Sequence, residues 1–336
     1  MAVTIGEIAK RANVSTATVS YVLNNKGNIP EATRERIRNI IQESSFQPNN
    51  NARNLATGKN LRIGIFTPSA EYLRRSVFFA EIASAILPEI NQYGMDLVIE
   101  VYNSDPDRWL RNVNSLDGAI LINPGGDDDH LEWLRSSQKP VVVIGNPGKS
   151  SDLTYVDGPN VEMACSMTEK VLEAGHRNLL YILPLQHYTL TQDFLLGIEK
   201  AIEDSGEKVR TTNLYTAYGK EITEEWLRDA LVKADGASAI VVDSDYKAVR
   251  VMDCLINMGK KIPDDYSLVC LSGSYLTQIP TPKICSSNPD NAEIGKMAAR
   301  ELLNLINGKE SPKDSNICSG YSLEEGGTLA FYKGKN

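Results

Sequence analysis

The sequence predicts a small, all-α helix-turn-helix domain at the N-terminus and, after it, a larger α/β domain of two lobes with parallel sheets. Three observations predict this division. Apolar residues near the N-terminus recur at helical spacing, strand-like and helical segments alternate from Leu61 onward, and basic residues are concentrated in residues 1–60. The chain has 336 residues, which is enough for two or three domains with a sizeable core. We place the domains at 1–58 and 59–336.

Three short helices are predicted in residues 1–60, which we call the head. Ile5, Ile8, Ala9 and Ala12 recur on one helical face. Ser15 is placed to cap a second helix that runs from about residue 16 to residue 24. After a polar break at 24–28, Pro30 and Glu31 open a third helix. Two helices joined by a short turn and braced by a third are typical of the helix-turn-helix.

The second helix carries an unusual set of side chains. Its sequence, VSTATVSYVLN over residues 14–24, has small hydroxyl side chains, one tyrosine and no charge. Short polar side chains let a helix approach base edges closely in the major groove, and the helix N-terminus favours phosphate. The pattern favours DNA binding, but by itself it also fits a surface helix of a three-helix cap that binds nothing.

A polar segment, PNNNARNLATG over residues 48–58, follows the third helix. Ala52, Arg53, Leu55 and Ala56 fit about two helical turns, which are marginal alone in water and need a partner. An exposed Leu55 fits a wedge between base pairs in the minor groove. The alternative, in which Leu55 packs back on its own domain, stays open.

The second part of the chain, residues 61–336, is called the body. Apolar strands separated by helices indicate parallel sheets covered on both faces. Seven strands and a C-terminal return suggest two similar lobes. The predicted strands are 62–67, 96–101, 118–123, 140–145, 178–183, 238–243 and 267–272. The predicted helices are 76–93, 107–114, 128–137, 160–174, 190–204, 222–233, 246–258 and 292–307.

Charge and composition restrict the classes of function. The head holds eight of the 35 Lys and Arg residues but only four of the 43 Asp and Glu residues, so only the head is expected to meet a polyanion. No run of 18 apolar residues and no signal-peptide core is present, which predicts a cytoplasmic protein without a membrane partner. The five cysteines form no CxxC pair, which indicates free thiols rather than a metal site.

Several motifs together resemble the lactose-repressor (LacI/GalR) family of bacterial transcription regulators. They are TIGEIAKRANVSTATVSYVLNN, TRERI and QPNNNARNLATGK in the head, and EAGHRNLLYI, DSDYKA and IPDDYSLVCLS in the body. The resemblance covers essentially the whole chain. It implies a homodimer that binds double-stranded operator DNA, most simply as a repressor, and a body like a periplasmic sugar-binding protein that binds a small-molecule effector. No cofactor is expected.

The resemblance also implies which head residues meet DNA. Thr16, Ala17 and Tyr21 match base-reading positions, and Thr18 lies between them. Thr4, Ser15, Ser20, Asn24 and Asn49 match backbone-contact positions. Ala52 lies on a hinge helix at about 49–57, and Leu55 matches an intercalating leucine. Many members carry Arg where this chain has Tyr21, so we expect no guanine-specific fork at that position.

The resemblance places a ligand cleft between lobe one, at about 61–158 and 289–319, and lobe two, at about 159–288 and 320–336. Several charged sugar-gripping side chains of the family are missing here. Gly145-Asn146 and Ser272-Gly273 stand where relatives often carry Asp, and Gln192, Asp193 and Phe194 precede Gly197 where relatives often carry Arg. We therefore expect the affinity for a ligand to depend on aromatic contacts, from Tyr72 and Tyr188, more than on charged side chains. The candidate lining residues are Tyr72, Asn146, Tyr188, Gln192, Asp243, Ser244 and Ser272; each also fits a structural role at a strand end.

Enzyme functions are disfavoured because the chain has no GxGxxG after a strand, no P-loop and no GxSxG motif. The acidic run at 125–130, GGDDDH, fits a helix N-terminus better than a metal site. A plain solute-binding protein is the remaining alternative, and the basic head argues against it.

Overall fold

The computed structural model describes residues 4–23, 27–44, 61–101, 105–123, 129–148, 153–217, 220–309 and 320–334. The chain forms two compact units, Met1–Asn60 and Leu61–Asn336. They correspond to the head and the body.

Three helices form the described part of the head, α1 (Ile5–Ala12), α2 (Thr16–Leu23) and α3 (Glu31–Glu43). Their apolar faces meet in one small core that includes Ile8, Ala12, Val19, Val22 and Ile37. Asn13 takes a left-handed conformation (φ 51°) directly after α1, which ends that helix and directs the chain into the short turn before α2. The helix-turn-helix that the sequence predicts is present.

The first sheet of the body is parallel throughout. Its strands lie in the order β2-β1-β3-β4-β5. They are β1 (Arg62–Thr67), β2 (Asp96–Val101), β3 (Gly118–Ile122), β4 (Val141–Ile144) and β5 (Thr154–Val156).

The second sheet has six strands in the order β11-β10-β9-β8-β6-β7, all parallel except for the antiparallel pair β10 and β11. Its strands are β6 (Asn178–Pro184), β7 (Arg210–Thr216), β8 (Ala239–Val242), β9 (Ser267–Cys270), β10 (Cys285–Pro289) and β11 (Tyr321–Glu324). Helices cover both sheets, as the alternation in the sequence predicts.

The described body helices are α4 (Ala70–Arg75), α5 (Val77–Asn91), α6 (Pro106–Asn114), α7 (Asp129–Ser136), α8 (Asn160–Glu173), α9 (Thr189–Ser205), α10 (Glu224–Lys233), α11 (Asp245–Asn257) and α12 (Asn291–Ile306). A 3₁₀ turn spans Tyr275–Gln278. No helix among these described ranges has the length and apolarity that crossing a bilayer requires.

The chain passes between the two sheets more than once. It leaves the first sheet after β5 and enters α8, and it returns after β10 to form α12. That helix packs against α5 and contributes Ile294, Ala298 and Leu302 to the core of the first sheet. The chain then ends in β11 of the second sheet. This topology produces two lobes joined by several crossings.

Close packing of helices in the second lobe depends on one glycine. A side chain at Gly197 of α9 would collide with the carbonyl group of Val161 and with Ala164 on α8. Only glycine allows this approach of the two helix backbones. Four of the five cysteines are described, and all four are buried free thiols.

The prediction of seven strands was incomplete. Strands β5, β7, β10 and β11 and helix α4 were missed because they lack a long apolar run. Strand β7 reads RTTNLYT and lies at an edge of its sheet, and β10 reads CSSNP. Edge strands and short polar strands bury little apolar surface of their own, so tertiary pairing rather than local pattern determines them.

Candidate functional site

The second helix of the head presents an uncharged, exposed face. Val19 and Val22 are buried in the head core, whereas Thr16, Ala17 and Tyr21 are exposed, with half of the Tyr21 surface accessible. These three positions are those at which the resemblance implies base contacts. Ala17 and Tyr21 are four residues apart and share one side of the helix, whereas Val19 and Val22 are three apart and share the side that packs on the core.

Two predicted backbone-contact residues also cap helices. The Ser15 hydroxyl accepts a hydrogen bond from the Thr18 amide at 3.1 Å and lies 2.9 Å from the Thr18 hydroxyl. The Thr4 hydroxyl accepts from the Glu7 amide at 3.3 Å, and the Glu7 carboxylate accepts from the Thr4 amide at 2.8 Å. This reciprocal pair is a capping box, and it lowers the pKa of Glu7.

The remaining head predictions divide into two groups. Ser20 is half-buried on α2. Asn24, Asn49, Ala52 and Leu55, and with them the hinge helix at about 49–57, lie outside the described residues. The acidic run at 125–128 is outside them as well.

The body contains a cavity of about 150 Å³ at the ends of its parallel strands. Ligands of open parallel sheets bind at this edge, where the chain changes direction. Residues after β1, β3, β5, β8, β9 and β10 line the wall, so both sheets contribute to one cavity. Among the predicted residues, the wall includes Tyr72, Asp243, Ser244 and Ser272.

An ion pair lies in the cavity wall at the start of α11. The ammonium group of Lys247 donates to Asp243 at 2.8 Å, and both side chains are less than one-tenth exposed. The two residues are four apart, so the first turn of the helix brings them together. Asp245, between them, accepts from Ser274 and from the Tyr246 amide. Burial raises the pKa of Asp245, and these hydrogen bonds oppose that rise.

Tyr72 is held deep in the wall. Its hydroxyl accepts a hydrogen bond from the amide of Asn123 at 3.3 Å. Burial raises the pKa of Tyr72 to about 12, which hydrogen bonds from Ser76 and Asn123 partly oppose. Tyr72 is therefore a neutral phenol at physiological pH, and it offers a ligand an aromatic ring and a hydroxyl group.

A third carboxylate of the wall, Asp157, lies at the crossing from β5 to α8. It accepts from the Gly158 amide at 2.7 Å and from the Asn160 side chain at 3.0 Å. Burial raises the pKa of Asp157 to about 7, and the nearby Asp193 adds to that rise. Asp157 therefore titrates near neutrality and carries only part of a negative charge there.

Two further predicted residues, Asn146 and Tyr188, line a much smaller neighbouring cavity that shares Asn123, Asp157 and Leu190 with the first. The Thr189 hydroxyl donates to the Asn146 carbonyl at 2.5 Å. The expectation for Gln192 is not met, because it is exposed and lies in neither cavity wall. It is on the first turn of α9, where Thr191 points inward and the next residue turns away.

Sequence reasoning missed much of the wall. The cavity is also lined by Glu71, Arg75, Asn123, Asp157, Lys220, Asp245, Lys247 and Asn291. A usable signal was present for Asp245 and Lys247, since both follow a predicted strand end within the DSDYKA motif. No comparable signal marked Arg75, because α4 was not predicted. The wall is therefore more charged than the sequence alone indicated.

Comparisons with known proteins agree with both units. The family model of bacterial regulatory proteins of the LacI family matches residues 4–49, and the model of a periplasmic-binding-protein-like domain matches residues 168–329. The first match covers the three head helices, and the second covers all six strands of the second sheet.

Curated relatives match along nearly the whole chain. The HTH-type transcriptional regulator MalR of Staphylococcus xylosus is 27% identical over 96% of this chain and 95% of its own. Catabolite control protein A of Staphylococcus aureus strain Mu50 is 25% identical over 98% of this chain and 99% of its own. The matched relatives are regulators and not enzymes, in agreement with the sequence prediction.

Solved structures share the fold. The lac repressor dimer bound to operator and the anti-inducer ONPF has a TM-score of 0.82 at 19% identity, covering 98% of this chain and all of that chain. The CelR–cellobiose complex has a TM-score of 0.70 at 21% identity, covering 97% and 99%. The chain therefore combines a LacI-family helix-turn-helix domain with a periplasmic-binding-protein-like domain, and along nearly its whole length it is similar to LacI-family regulators.

Proposed function

We propose that the chain is a cytoplasmic, homodimeric repressor that binds a specific operator and whose binding is modulated by a small molecule. The exposed, uncharged face of α2 is the observation that carries the DNA part of this proposal. Two heads related by twofold symmetry would read the two half-sites of a near-palindromic operator. Thr16, Ala17 and Tyr21 would contact base edges, with Thr18 on the same helix near the DNA. The residues that would position the head on the phosphates are Thr4, Ser15, Ser20, Asn24 and Asn49.

The cavity supports the modulation part. It is formed by residues from both sheets, so a ligand bound there interacts with the two lobes at once and favours one arrangement of them. We place the lobes at about 61–158 with 289–319, and 159–288 with 320–336. The cellobiose bound to CelR shows that a protein of this fold takes a sugar. For this chain, a carbohydrate-related effector is a proposal.

Selection of bound DNA from a random pool tests the proposed operator binding. We expect a near-palindromic site, and an affinity that falls about 10³-fold or more between 50 and 200 mM salt if a dimer contacts about six or more phosphates. Ala17→Asp places a carboxylate on the reading face and should abolish selection.

Asn39→Asp is the matched control, because it adds the same charge at an exposed position of α3. It should weaken binding far less than Ala17→Asp. Recovery of an unenriched pool with the wild-type dimer would refute the operator proposal.

A further inference from the structure

The four carboxylates of the cavity wall already accept hydrogen bonds from the protein. Burial also raises the pKa of Asp157 to about 7, so the wall is less negative near neutrality than its four acidic residues suggest. The donors are Arg74 and Arg75 for Glu71, Gly158 and Asn160 for Asp157, Ser244 and Lys247 for Asp243, and Ser274 and the Tyr246 amide for Asp245.

The basic groups of the wall, in contrast, have donors to spare. The Nη2 atom of Arg75 pairs with Glu71 at 2.6 Å, but its Nη1 atom is buried and has no acceptor among the described residues. Lys247 has one acceptor there, Asp243, although an ammonium group has three donors. Lys220 lines the same cavity.

The guanidinium group of Arg75 is also held in place. It lies 5.1 Å from the ring centroid of Tyr246, another residue of the wall. A stacked guanidinium retains its planar fork and is suited to oxyanions. Its ion pair with Glu71 and this stacking together fix the direction of the remaining donors.

One acceptor in the wall is also without a partner. Asn291 is 5% exposed; its side-chain amide donates to Glu81 at 2.7 Å, and its Oδ1 atom has no donor within the described part of the chain. A buried amide oxygen of this kind requires a donor such as a hydroxyl group.

We infer that the ligand of this cavity is a hydroxyl-bearing anion, whose carboxylate or phosphate group binds to Arg75 and Lys247 and whose hydroxyl donates to Asn291. The inference rests on the proposed effector role of the cavity and names its ligand class. It also replaces the expectation that ligand affinity depends more on aromatic contacts than on charge. In this proposal Tyr72 contributes an aromatic ring, and Arg75 and Lys247 select an anionic ligand.

Thermal unfolding of the full chain with simple anions tests the inference without knowledge of the natural ligand. Inorganic phosphate and acetate, each at millimolar concentration, are the two probes, and sodium chloride at equal ionic strength is the reference. We expect phosphate or acetate to raise the Tm of the wild type by about 2–4 °C. Which probe acts distinguishes a phosphate ligand from a carboxylate ligand.

Variants connect the effect to the cavity. Arg75→Gln should lower the affinity for the active anion about 10- to 100-fold. Arg74→Gln is the matched control, because Arg74 pairs with the same Glu71 oxygen but is 68% exposed and does not line the cavity. It should retain the wild-type shift. Arg75→Lys keeps the charge and should retain part of it, which also separates lost binding from lost folding.

The inference is overturned if neither anion stabilises the wild type, or if the shift is the same in Arg75→Gln. Operator selection is measured on the same preparations. If DNA binding persists while the anions have no effect, the ligand class is wrong and the regulator proposal stands. If the anions bind but no DNA is selected, the ligand class stands and the operator proposal is wrong.

Discussion

Single residues decide how the head reads DNA. Tyr21 has half of its surface exposed on α2, and Gly27, at a φ of 75°, lies beside its ring. A tyrosine offers one hydroxyl group and an apolar ring, whereas an arginine offers two parallel donors to guanine. The helix that carries Tyr21 was predictable from the sequence, and the structure adds the exposure of its side chain.

We expect Tyr21→Arg to change the preferred base at one position of each half-site toward guanine, by about 1–3 kcal/mol of discrimination. Tyr21→Phe removes only the hydroxyl and should weaken binding without creating that preference. Selection from random DNA with the three proteins measures this. An unchanged base preference in Tyr21→Arg would show that residue 21 does not face the bases.

At the scale of elements, one residue at the start of α2 both caps the helix and is expected to contact DNA. Ser15 accepts from the Thr18 amide and is also an expected phosphate contact. The two roles respond differently to charge. An aspartate caps a helix about as well as a serine, but it repels a phosphate.

We therefore expect Ser15→Asp to keep the stability of the head within about 0.5 kcal/mol while lowering operator affinity at least tenfold. Ser15→Ala should instead cost about 1 kcal/mol of stability. Circular dichroism melts and gel-shift titrations on both variants separate the roles. Wild-type affinity in Ser15→Asp would exclude a phosphate near residue 15.

Elements were predictable where the local pattern agrees with the tertiary environment. The buried run RIGIFT was placed at its observed bounds, because parallel strands covered on both faces are apolar along their length. DLVIEV was also placed at its observed bounds: it is a half-buried edge strand, but its sequence is largely apolar. Strand β7 was not, because its polar side chains are tolerated only at a sheet edge. In the cavity, Asp243 and Ser272 were predictable as strand ends, whereas Arg75 depends on the short helix α4, which the sequence pattern does not reveal.

On the scale of the whole body, the crossing at Asp157 makes stability depend on pH. Its pKa is about 7 in the folded chain and 3.8 for an ordinary aspartate. A raised carboxyl pKa means that the folded state holds the proton more tightly than the unfolded state. Stability from this group is therefore complete below about pH 4 and is lost as the pH rises toward 7 and above.

Asp157→Asn should remove the fall in stability that the ionisation of Asp157 causes as the pH rises. We expect the variant to exceed the wild type by about 1–2 kcal/mol at pH 8, and the difference to shrink toward zero or reverse near pH 4. The asparagine Oδ1 can still accept from Gly158 and Asn160, so the local hydrogen bonds survive. Urea unfolding across this pH range provides the measurement. Parallel pH profiles of the two proteins would contradict the assignment.

The late position of α12 in the chain has a consequence for biosynthesis. All five strands of the first sheet have been made by residue 156, yet the helix that supplies Ile294, Ala298 and Leu302 to its core is translated more than 130 residues later. Until α12 has been translated, the apolar surface of α5 and the first sheet that it covers stays exposed. The nascent polypeptide must therefore complete most of its second lobe before its first can close, which exposes the growing chain to chaperones or to aggregation while those intervening residues are made.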